Sequence, residues 1–148
     1  MQKHTFSIHI DAPKETVWNI LWAETTYPEW TAIFGPGSRA ETDWQEGSKV
    51  LFLGSENEGM VSMIYRRKDN EYMAFKHLGV LKNGVEDLDS PESKAWSGAM
   101  ENYTLTAVGD QTNLEVEMDI AEEHLAYFRS TWPKALEKVK ALAESVAV

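Results

Sequence analysis

The chain has 148 residues, enough for one domain over 1–148 that buries about 68–70% of its unfolded surface without a covalent staple. It has no cysteine, which excludes disulfides, thiolate metal sites and cysteine nucleophiles and suits a reducing, cytoplasmic setting. Its 14 basic and 24 acidic side chains leave a net charge of −10, which disfavours nucleic acid and anionic membrane surfaces as partners, and no apolar run reaches the ~18 residues of a membrane span.

Thr5 to Asp11 alternates, with Phe6, Ile8 and Ile10 on one face and Thr5, Ser7 and His9 on the other. That is the period of a half-buried strand. Asp11-Ala12-Pro13 stops it, and the proline opens a helix through Trp22, with Val17, Trp18 and Leu21 on one face. Thr26-Tyr27-Pro28-Glu29 has the form of a capping box leading a short second helix through Trp30 and Ile33. Gly35-Pro36-Gly37-Ser38 ends it in a loop.

The middle of the chain reads as strands between turns: a weak one over Ser38 to Asp43, then Lys49 to Gly54, Met60 to Arg66 and Glu71 to Leu81. Residues 41–120 hold sixteen acids against seven bases, densest from Glu86 to Glu92, a run expected to be a solvated loop. A strand over Lys94 to Ala107 follows, then the hairpin signal Gly109-Asp110. In the last strand Leu114, Val116, Met118 and Ile120 alternate with Glu115, Glu117 and Asp119, the pattern of an antiparallel sheet wet on one face. From Glu122 the apolar period changes to three or four: Leu125, Phe128, Trp132, Leu136, Val139, Leu142 and Val146 lie on one stripe of a long helix that contains Pro133. This order predicts an α+β fold, with helices covering one face of an antiparallel sheet of about six to seven strands.

Several segments carry a resemblance that spans nearly the whole chain. They are Ile10-Asp11-Ala12-Pro13 with Val17-Trp18, Trp30, and Trp44-Gln45-Glu46-Gly47-Ser48. Further on come Phe75-Lys76-His77-Leu78-Gly79, Glu101-Asn102-Tyr103-Thr104-Leu105 and Thr131-Trp132-Pro133-Lys134-Ala135-Leu136. In this order the chain resembles the START-related, birch-pollen-allergen-like helix-grip superfamily (SRPBCC), and within it the bacterial relatives of the activator of heat-shock-protein-90 ATPase. The resemblance implies a curved antiparallel sheet gripping the long C-terminal helix, two short helices after the first strand, and an apolar cavity between sheet and helix. The superfamily holds lipid carriers, hormone receptors, polyketide cyclases and co-chaperone domains, so the fold leaves the activity open.

The candidate site follows from strand parity. With Lys76 facing water, Met73, Phe75 and His77 face inward; on the later strand Glu101, Tyr103 and Leu105 share the inward parity. A symmetric hairpin between the two strands sets Phe75 opposite Glu101 and Ala99 opposite His77, which makes His77 and Glu101 diagonal neighbours roughly 7–8 Å apart at Cα. Trp30, Phe34, Phe128 and Trp132 converge on the same region from the helices, and Phe52 contributes from the sheet. The expected pocket is therefore Trp30, Phe34, Phe52, Phe75, His77, Glu101, Tyr103, Phe128 and Trp132. Trp18 and Trp22 are four apart on a helix and one or both are expected in the core, and Trp44 is expected to anchor a loop.

No residue is assigned a catalytic role, because nothing in the sequence supplies a convergent nucleophile or oxyanion site beside His77 and Glu101. His4 and His9 lie five apart on one strand and face opposite sides, and no zinc, calcium or phosphate-loop spacing occurs, so no metal and no cofactor is expected. The expected function is binding of a small apolar or amphipathic molecule by a monomer or homodimer. The resemblance keeps two alternatives: a co-chaperone whose partner is a heat-shock chaperone, and a cyclase or hydrolase of small aromatic or polyketide-like substrates using His77 and Glu101.

Overall fold

A computed structural model describes residues 1–146 of the chain. Strand β1 (Gln2–Ile10) is followed by α1 (Lys14–Trp22), α2 (Tyr27–Thr31) and a single 3₁₀ turn (Ala32–Phe34). Strands β2 (Arg39–Glu41), β3 (Lys49–Leu53), β4 (Gly59–Lys68), β5 (Tyr72–Lys82) and β6 (Val85–Asp87) come next. Helix α3 (Pro91–Trp96), β7 (Met100–Val108), β8 (Gln111–Ile120) and the long α4 (Glu122–Val146) follow. All pairings are antiparallel, in the order β1-β8-β7-β5-β4-β3-β2, with β6 added alongside the far half of β5. The architecture is the expected α+β sheet with a long C-terminal helix and two short helices after the first strand. The strand count rises to eight because β6 is inserted.

The segment read as an acidic loop and the start of a strand is organised differently. Val85–Asp87 pairs with β5, and Pro91–Trp96 is helical, so the following strand begins at Met100 and not at Lys94. The physical cause is a start signal inside the acidic run: Ser90 caps the helix by accepting from Ser93 N–H, and Pro91 occupies its first turn. The capping box expected at Thr26 does not form either. Thr26 is already in a helical conformation and its hydroxyl donates to Ile20 O at 2.7 Å, joining α2 to the end of α1.

Two irregularities shape the β4–β5 pair. Val61 pairs with Gly79 but Ser62 with His77, so Leu78 is an extra residue on β5; Ile64 pairs with Phe75 but Arg66 with Ala74, so Tyr65 is an extra residue on β4. Each bulge bends its strand and raises the local twist. The bulge at Leu78 also changes which side chains face the helix. Before it Met73 and Phe75 belong to the main core, whereas Leu81 beyond it joins Leu53 and Val61 in a second cluster. Gly79 is required next to this bulge, because a Cβ there would collide with the Asp87 carbonyl oxygen as the chain returns along β5.

Helix α4 buries Thr131, Trp132, Ala135, Leu136, Val139 and Ala143, the stripe that a 3.6-residue period puts on one side. It continues through Pro133, which lacks the N–H that would bond to Arg129 O. Its distal end is tied to β1: Glu144 accepts from Asp11 N–H at 2.8 Å and from Lys140 at 2.6 Å, and Lys140 also donates to His9 O at 3.1 Å. Trp18 and Trp22 both pack in the core. Trp44 anchors its loop with its ring 5.4 Å from that of Trp22, while Arg67 donates to its carbonyl at 2.7 Å. No helix among the described residues is long and apolar enough to cross a membrane.

Leu136 is 2% exposed at the centre of the helix–sheet contact. Leu136→Ala is expected to lower unfolding free energy by about 2–5 kcal/mol, measured by urea denaturation with the transition remaining cooperative.

Candidate functional site

The site lies where α2, the 3₁₀ turn and α4 cross the inner face of β3, β4, β5, β7 and β8. Antiparallel registers set Phe75 opposite Glu101 and Met73 opposite Tyr103, and on the other side Glu101 faces Met118. Glu101 is thus a carboxylate flanked by two apolar side chains. His77 has Ala99 across from it, joined by His77 N–H donating to Ala99 O at 2.8 Å, so His77 and Glu101 are diagonal neighbours. His77 Nε2 lies 3.4 Å from Glu101 Oε1, and the two side chains are 6% and 16% exposed. At that length the contact is an electrostatic approach, weaker than an ordinary hydrogen bond.

The other Glu101 oxygen accepts from the Tyr103 hydroxyl. Behind His77, Ser62 Oγ meets Nδ1 at 2.6 Å, a partner that the Leu78 bulge brings opposite the imidazole. Burial, and after it the charge and hydrogen bond of Glu101, hold the Tyr103 phenol well above its ordinary ionisation range. Burial and then the Glu101 charge raise Tyr27 in the same direction.

A cavity of about 260 Å³ opens in front of this polar cluster. Eight of the nine residues expected there line it: Trp30, Phe34 and Phe52, the polar His77, Glu101 and Tyr103, and Phe128 with Trp132 from α4. Phe75 does not; it is 0% exposed beneath the floor, with its ring 5.1 Å from that of Phe52. The deep wall is buried Trp30, Trp132, Tyr103 and Met118, while half-buried Phe34, Ser38, Trp96 and Phe128 form the outer part.

Sequence reasoning missed Tyr27, Thr31, Ser38, Met60, Trp96 and Met118 as lining residues, and Ser62 as the support of His77. The parity of Met60, Ser62 and Ile64 held the signal for Met60 and Ser62. Trp96 depends on α3, whose last turn brings its ring 6.4 Å from His77 and stacks it on His124 at 5.5 Å.

The contacts on the two ring nitrogens of His77 resemble a serine–histidine–carboxylate relay. The serine cannot serve as a nucleophile here. Ser62 is 0% exposed and absent from the cavity wall, so its oxygen cannot reach a bound carbonyl. The arrangement can position a polar group of a ligand and exchange a proton with it through His77 or Glu101. Among the described residues no group of three His, Asp or Glu side chains is placed to hold a metal ion.

No protein-family model and no curated protein matches the sequence. Solved structures do match its fold. Protein MLL2253 from Mesorhizobium loti aligns with a TM-score of 0.73 at 16% identity, over 97% of this chain and 98% of its own. The Aha1 dimer from Colwellia psychrerythraea gives 0.72 at 17%, over 95% and 94%. CalU16 from Micromonospora echinospora gives 0.66 at 19%, over 95% and 75%. The chain therefore has the helix-grip fold that its sequence resembles.

Because the unfolded chain releases tyrosine protons near pH ~10 and the folded one holds those of Tyr27 and Tyr103 above it, the stability these two groups contribute is full below that pH and falls as pH rises past it. Absorbance titration is expected to show these two of the five tyrosines ionising only with alkaline unfolding. In Tyr103→Phe that step is one phenolate smaller.

Proposed function

We propose that the chain is a single-domain cytoplasmic protein that binds one small apolar or amphipathic molecule between its sheet and α4. One observation carries this reading: a 260 Å³ cavity with aromatic walls that ends in a fixed polar cluster. Ligand sites combine those features, mostly apolar lining with a few placed polar groups. The volume sets the ligand's size. It exceeds the ~150 Å³ cavity that admits benzene and falls just under the ~300 Å³ at which common ligand pockets begin. One aromatic ring with a short side chain fits, and a sterol or long acyl chain does not.

The buried position of Ser62 supports binding over hydrolytic catalysis. The cavity is built by a single chain, so binding does not require the dimeric state of the Colwellia neighbour.

The test is titration with toluene, benzyl alcohol and cholesterol, followed by tryptophan fluorescence and by amide NMR shifts of β7 and α4. Saturable shifts are expected with the two one-ring compounds and none with cholesterol. Phe34→Ala, which removes part of the outer wall, is expected to weaken one-ring binding by roughly three- to tenfold, the effect of losing about one to two buried methylene equivalents. Absence of saturable binding by either one-ring compound would overturn the reading.

A further inference from the structure

The hydrogen bond from Ser62 fixes which ring nitrogen of His77 carries the proton. Ser62 is fully buried, and its hydroxyl has one partner, His77 Nδ1. A hydroxyl has one proton to donate and lone pairs to accept with. Were Nδ1 the donor, the Ser62 proton would be buried with no acceptor, which is the costly arrangement. Ser62 therefore donates, Nδ1 is unprotonated, and the imidazole proton sits on Nε2, the nitrogen that faces Glu101. Tyr103 also donates to Glu101. The phenol and the imidazole are both neutral, the imidazole facing the carboxylate at 3.4 Å, and neither cancels a charge on it.

Nothing else lining the cavity cancels it. No lysine or arginine is among the lining residues, and Glu101 is their one acid. The remaining wall is rich in aromatic rings, including Trp30, Phe34, Phe128 and Trp132. Such rings attract cations through their negative faces, most strongly where water is excluded. The chain's net charge of −10 raises the local concentration of cations and repels anions.

We propose that the cavity selects a small organic cation: a protonated amine on an apolar body of about one ring, its ammonium on Glu101 and its body among the aromatic rings. The inference rests on the binding-site reading above and adds the sign of the ligand. A carboxylate of the same size would face Glu101 with no counter-charge in reach.

Three congeners separate the possibilities at neutral pH: 2-phenylethylamine, 2-phenylethanol and phenylacetate, each titrated by calorimetry. The amine is expected to bind about tenfold more tightly than the alcohol, as a charge-assisted contact to a desolvated carboxylate requires, with phenylacetate weakest. In Glu101→Gln the ratio of alcohol to amine dissociation constants is expected to fall to about one. Phenylacetate binding as tightly as the amine, or an amine preference that survives Glu101→Gln, overturns the proposal. If the alcohol binds and charge has no effect, this inference fails and the binding reading stands; if none of the three binds, this inference fails, and the binding reading fails with it where toluene and benzyl alcohol do not bind either.

Nitrogen NMR of the His77 ring gives a check that does not depend on the variant folding. An unprotonated Nδ1 is expected. A ring protonated on both nitrogens would neutralise Glu101 and overturn the argument.

Discussion

Trp132 joins the long helix to the elements that surround the cavity. Its ring stacks on Phe6 of β1 at 6.1 Å and meets Trp30 of α2 at 6.2 Å, Phe34 at 5.0 Å and Tyr103 of β7 at 6.0 Å. Its indole N–H points at Met118 Sδ, 2.9 Å away on β8. One side chain thus fixes the distance between the long helix, the short helix and three strands. That distance decides whether a cavity exists at all. A smaller residue would let the layers collapse or leave them loosely packed, since interiors tolerate little unfilled space.

The polar cluster depends on the same spacing. Glu101 is held by Tyr103, and Tyr103 is wedged edge-on between Trp22 and Trp30, at 4.9 and 6.4 Å. His77 is held by Ser62 through a bulge in β5. Ring packing therefore orients the carboxylate, and a backbone irregularity orients the imidazole. The two supports come from different parts of the sheet, so the His77–Glu101 separation of 3.4 Å is set by the sheet's shape as well as by the two side chains.

Much of this was legible in the sequence. Alternation marked β1 and β8, the three-to-four period marked α4, and parity alone turned Glu101 inward. Phe75 does pair with Glu101, although the connection between their strands is not the simple loop assumed. The register survives because β5 changes partners: it pairs with β7 up to Lys76 and with β6 from Val80, and α3 fills the interval. What could not be read was anything that breaks a period. The extra residues Leu78 and Tyr65 shift the pairing by one, and with it the partner of His77. The helix at Ser90-Pro91 was masked by its acidic neighbours, and so was Trp96. Phe75 was placed inward correctly, but parity does not distinguish the lining of a cavity from the layer beneath it.

The strand order has a consequence for how the molecule is made. β1, the first element, pairs along its length with β8, from Gln2 against Ile120 to Ile10 against Thr112. Pairs separated by over 100 positions close large loops, the kind of contact that slows folding. On the ribosome β1 emerges well before β8, the strand it pairs with, and α4 follows later still. Through that interval Phe6 and Ile8 lack their partners on β8, and Phe6 and Trp30 lack the ring of Trp132 on α4. The nascent chain therefore holds these apolar side chains open until its last strand and helix arrive, an interval in which exposed apolar surface favours aggregation.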